Sequence, residues 1–206
     1  MAFLNRTIKA ALAVLALGLS GSIQADAATF KAQRGLNLDI WVTWPDESQW
    51  GERDAVLPFP EWRKSLDAAG LERLKTAGFD FVRIPVDPSP FLSPKAEALR
   101  GELIASVVES ARLVNAAGLK AIIDLHLIPA GSNRSIGMSQ VMDDPALFER
   151  YLGVVREVGR ALSKEDPERV AFELMNEPTI GCEGAELRDW QERLAKLFAA
   201  ARSSAT

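Results

Sequence analysis

The sequence predicts an α/β fold made of four βα units, the N-terminal half of a (β/α)8 barrel, behind a secretory leader. Three observations carry that expectation. Short runs rich in branched and aromatic residues recur along the chain, too apolar to leave one face wet, as in strands of a parallel sheet. Longer segments with apolar residues at helical spacing lie between them, and two of these are closed by glycine. The turn after the first run, DIWVTWPDESQWGERD, has no G-x-G-x-x-G and no P-loop. That removes the usual nucleotide site of an open doubly wound sheet and favours the barrel.

Residues 1–27 are expected to be a signal peptide. Arg6 and Lys9 precede an apolar run from Ala10 to Leu19, and Ala25-Asp26-Ala27 offers the small-x-small cleavage pattern. The run is short of the roughly 20 residues needed to cross a bilayer. The mature chain, 28–206, is then a single domain, secreted or periplasmic, with no membrane contact after cleavage. Its elements follow in order. RGLNLDI (34–40) is the first strand, and 61–77 a helix with Leu66, Ala69, Leu71 and Leu74 on one face, stopped by Gly78. DFVRIPV (80–86) is the second strand, and 99–117 a helix stopped by Gly118. LKAIIDLHL (119–127) is the third strand, and 143–167 a helix with an aspartate cap and Pro145 in its first turn. RVAFELM (169–175) is the fourth strand, and 184–202 the last helix.

Composition excludes several functions. A net charge of −4 without a basic cluster argues against nucleic acid. His126 is the sole histidine, with no second histidine or cysteine at ligand spacing, so no metal and no other cofactor is expected. A serine or cysteine triad lacks the nucleophile elbow G-x-S-x-G. Carboxylate chemistry remains.

Ligands of parallel α/β folds sit at the C-terminal strand ends. There the chain places Asn37 and Asp39, then Trp41 and Trp44; Arg83 and Asp87; Asp124 and His126; and Asn176 with Glu177. Charges in buried strands are costly unless paired or used, so four such ends imply a polar site. A purely structural pairing of Arg83 with Asp124 or Glu177 is the alternative reading. Trp41, Trp44, Trp50 and Trp62 crowd the first loop, where flat rings exposed at a binding face stack on sugars. One of them, Trp62 first, is expected to pack the loop instead.

RGLNL, VRIPV, IIDLHL and ELMNEPT, on four successive strands, resemble glycoside hydrolase family 5, the cellulase family. The resemblance implies a retaining (β/α)8 glycosidase acting on β-linked glucan, with Glu177 as general acid/base. It implies Asn176 at the sugar 2-hydroxyl, Arg83 supporting the carboxylates, and His126 in the substrate cleft. A general acid must hold its proton near neutral pH, which burial beside a like charge provides. The family's nucleophile lies on a seventh strand, and four strands are expected here. The chain alone is therefore expected to be an inactive fragment, with open sheet edges that invite self-association. A non-catalytic carbohydrate-binding protein using the tryptophan-rich loop is the alternative. Cys182 is either a plain free thiol or one half of a disulfide whose mate is elsewhere.

Overall fold

A computed structural model describes residues 29–39, 41–57, 66–178 and 180–203. The expected signal peptide, Trp62 and the first part of the 61–77 helix lie outside the described residues. Four parallel strands form one sheet in the order β1-β2-β3-β4: Gly35–Asn37, Phe81–Val86, Lys120–Leu125 and Val170–Glu173. This monotonic order is decisive. Right-handed crossovers between sequential neighbours put every connecting helix on the same face. A doubly wound sheet needs a reversal of strand order, and there is none here. Four consecutive units of a barrel wall are what remains.

The helices in chain order are α1 (Arg53–Val56), α2 (Ala68–Thr76), α3 (Ser89–Leu92), α4 (Arg100–Ala116), α5 (Met138–Asp143), α6 (Pro145–Leu162) and α7 (Gly184–Arg202). Helix α2 begins later than its apolar pattern, because Asp67 caps it by accepting from the Gly70 amide at 2.8 Å. Asp144 caps α6 by accepting from the Ala146 amide, with Pro145 at the first position. Gly78 (φ +88°) and Gly118 (φ +80°) take the left-handed conformation that ends α2 and α4 and starts the next strand. The short helices α1, α3 and α5 lie in loops where no helix is expected from the apolar pattern.

Strands β2 and β3 are buried on both sides only toward their C-terminal ends, short of the expectation from their apolar content. Val82, Ile84 and Val86 of β2, with Ala121, Ile123 and Leu125 of β3, are fully buried. Arg83 and Ile122, on the opposite face, are only half-buried. One face is covered by α4 and α6, through Leu103, Val107, Val114, Tyr151, Val155 and Val158. The other face carries rows set by the register: Asn37, Arg83, Ile122 and Ala171 in one, Pro85, Asp124 and Glu173 in the next. At the start of β1, a side chain on Gly35 would meet the Phe81 ring at 2.5 Å, so any larger residue there forces that ring to move. Strands β1 and β4 are the sheet edges, and every residue of β4 is half-buried.

Candidate active site

Arg83 organises the polar strand ends. Its guanidinium starts in the Asn37 row and reaches one row further, about 7 Å along the strand. There it grips Glu173 with two bonds of 2.7 Å, Nε to Oε2 and Nη2 to Oε1. Nη2 also meets Asp124 Oδ2 at 2.8 Å and donates to Asn176 Oδ1 at 2.8 Å. The sequence-level pairing of Arg83 with Asp124 is therefore present, whereas its principal partner is Glu173 rather than Glu177. The Glu173 hydrogen bonds, with the charges of Asp124, Glu173 and Glu177, raise the arginine's proton affinity further.

A closed ring of hydrogen bonds and one ion pair follows. His126 Nδ1 lies 2.8 Å from Asp124 Oδ2, and His126 Nε2 lies 3.3 Å from Asn176 Nδ2. Asn176 returns to Arg83, which returns to Asp124. Backbone bonds hold the two late members: the His126 amide donates to the Val86 carbonyl, and the Asn176 amide to that of Leu125. Asp124 is fully buried, and burial pushes its carboxyl up to about 6, with the Glu173 charge adding to this and His126 and Arg83 opposing it. Beneath the ring, the buried Tyr151 hydroxyl donates to the Leu174 carbonyl at 2.7 Å.

Glu177 stands just beyond. Its backbone has φ +36°, the only positive value outside glycine among the described residues, in a position followed by proline. Such a conformation costs about 1–3 kcal/mol and persists where surrounding structure imposes it. The side chain is exposed, whereas the acid was expected to be buried. Strand β4 is an edge, so nothing among the described residues covers that side.

The first-loop tryptophans also differ from expectation. Trp41 and Trp44 are 4% and 5% exposed, and Trp50 is fully buried. Trp44 Nε1 donates to the Asp87 carbonyl at 2.7 Å and its ring meets Phe91 edge-on, while Trp50 Nε1 donates to the Pro45 carbonyl. These rings pack the loop onto the barrel wall, and Trp41 and Trp44 offer no free face for stacking. Reading the loop as exposed overlooked that a long loop needs its own core.

Two pairings beside the site had no sequence signal, although Asp87 stands among the strand-end residues. Asp87 is buried beneath Arg134, which pairs with Oδ2, while the Ser89 amide and hydroxyl donate to Oδ1. Glu47 accepts from the Ser135 amide and hydroxyl. Together they tie the loop after β3 to the loops after β2 and β1. A cleft of about 290 Å³ opens beside this brace, lined by Asp39, Thr43, Pro85, Asp87, His126 and Ile128. A larger apolar groove of about 450 Å³ runs along β4 between the ends of α6 and α7, away from the polar ring. No group of metal-ligating side chains occurs among the described residues. Cys182 is an exposed free thiol.

A singly wound parallel βα wall with an arginine, a histidine, a carboxamide and an exposed acid at its strand ends is the architecture of half a (β/α)8 barrel. The chain belongs to the cellulase family, glycosyl hydrolase family 5, whose model matches residues 42–205. A comparison with curated proteins finds no match. Among solved structures, a glycoside hydrolase superposes with a TM-score of 0.62 at 19% identity, over 84% of this chain and 50% of that one. A family 5 enzyme of Prevotella bryantii B14 gives 0.58 at 20% identity, over 86% and 55%. A broad-specificity endoglucanase of Clostridium acetobutylicum gives 0.57 at 22% identity, over 85% and 51%. The chain thus spans about half the length of these structures.

Proposed function

We propose that this chain carries the acid/base half of a retaining β-glucanase site, with Glu177 as the general acid/base. The observation that carries the reading is the exposed carboxyl of Glu177, held at a strained φ of +36° next to the ring of Arg83, Asp124, His126 and Asn176. In this role Glu177 protonates the departing glycosidic oxygen and later takes a proton from water. Asn176 donates to a sugar hydroxyl, His126 borders the cleft, and Arg83 pairs with Glu173 and Asp124. Support for a β-linked polysaccharide comes from structural relatives. A Prevotella bryantii enzyme was solved with a xyloglucan tetradecasaccharide, and a Thermotoga maritima enzyme with mannotriose.

A retaining mechanism needs two carboxylates about 5–5.5 Å apart. The other two of this cluster, Asp124 and Glu173, are both bound to Arg83. The nucleophile must then come from a surface facing Glu177, and the chain alone is expected to release no reducing sugar from carboxymethylcellulose or mannan. Clear turnover that disappears in Glu177→Gln would overturn this division of the site. Residues 1–27 support secretion or a periplasmic location, and N-terminal sequencing of the mature protein is expected to begin near Ala28.

A further inference from the structure

Resting on the reading of Asn176 as a sugar-facing residue, we propose that Asp124 is a positioning residue: it selects the neutral tautomer of His126 that accepts from the Asn176 carboxamide, whose direction Arg83 fixes. The argument starts from Arg83, whose guanidinium can only donate. The Asn176 atom 2.8 Å from Nη2 must be the carbonyl oxygen, so its NH2 faces His126 Nε2 at 3.3 Å. Nε2 must then accept, which places the ring proton on Nδ1, 2.8 Å from the carboxylate oxygen of Asp124. The ring closes where the same Oδ2 meets Arg83 at 2.8 Å.

The opposite arrangements all set donor against donor. A proton on Nε2 points at the Asn176 NH2, and turning the amide to relieve that points NH2 at the guanidinium. The direction of control follows from placement. Asp124 is fully buried within β3, whereas Asn176 lies past the end of β4. Oδ2 makes both contacts, the ion pair with Arg83 and the bond with His126, while the buried Oδ1 has no hydrogen-bond partner among the described residues. One oxygen therefore decides the tautomer. With one Asn176 N–H committed to His126, the other is available to a ligand oxygen beside Glu177.

The single histidine makes the test direct. The full chain, labelled with 15N-histidine, is examined by long-range proton–nitrogen correlation above the ordinary imidazole titration range. Nε2 is recognised by coupling to both carbon-bound ring protons. The expected spectrum has Nδ1 protonated and Nε2 unprotonated. Asn176→Ala is expected to leave that pattern unchanged, and Asp124→Ala to reverse or average it. A wild-type ring protonated on Nε2 overturns the proposal even if Asp124→Ala does not fold. So does a wild-type pattern in a folded Asp124→Ala, or a reversal in Asn176→Ala. The spectrum requires no turnover, so a chain that neither binds nor hydrolyses glucan refutes the functional reading and leaves the tautomer assignment to its own result.

Discussion

Arg83→Met keeps much of the side-chain stem and deletes the guanidinium, which removes two bonds to Glu173, one to Asn176 and the ion pair with Asp124. The three partners respond differently. The Glu173 side chain is 37% exposed and returns to water, so its share of the loss is small. Asp124 is 0% exposed and cannot. Stranding one partner of a buried pair costs about 3–5 kcal/mol when the charge stays. Here the charge has an exit, because burial already lifts Asp124 to about 6. Taking up a proton at about pH 7 therefore costs only about 1.4 kcal/mol. The half-buried Asn176 carbonyl loses a charged donor, worth about 1.5 kcal/mol more. The expected destabilisation is about 3 kcal/mol near pH 7, falling by about 1 kcal/mol near pH 5, where Asp124 is already mostly protonated in the wild type. Urea unfolding at both pH values measures it. A loss below about 1 kcal/mol near pH 7, or a larger loss at the lower pH, refutes the reasoning.

Asp124→Asn isolates the titration itself. A carboxyl raised above its ordinary value stabilises the fold relative to the neutral variant at low pH, and that advantage is lost as pH rises through about 6. Wild type should lose about 2 kcal/mol against Asp124→Asn between about pH 4 and pH 7; an opposite slope contradicts the burial argument. Tyr151→Phe leaves the Leu174 carbonyl without its donor in a dry site, and thermal unfolding should show a loss of about 1–3 kcal/mol. Gly118→Ala has room for its methyl group, with the nearest atom at 3.7 Å, so its cost is conformational: about 1 kcal/mol from φ +80°, and an unchanged melting temperature would show that the joint is relaxed.

Much of the architecture was legible because it rests on local physics. Gly78 and Gly118 mark helix ends that need a left-handed residue, and Asp144-Pro145 marks a helix start. The family-like run ending in Asn176-Glu177 marks the strand that carries the acid. The missed features all depend on groups distant in sequence. Glu173 lies on the same strand run as Glu177, and nothing in that run points to its partner Arg83 on another strand, 90 residues away. Asp87 with Arg134, and Glu47 with Ser135, join loops that no local pattern connects. Trp41 and Trp44 read as exposed because residue type does not disclose what a loop folds back upon.

By itself the sequence determined the alternation of strands and helices, their joints, and the residue types at each strand end, since apolar period and turn chemistry act over a few residues. Only the tertiary structure decided which residues became partners. The monotonic strand order put the helices that connect the strands on one face, and the parallel register brought Arg83, Asp124 and Glu173 within one side-chain length. It also placed Glu177 in the open, because burial depends on what packs against an edge strand, and that is a property of the assembled sheet rather than of the residues Asn176, Glu177 and Pro178.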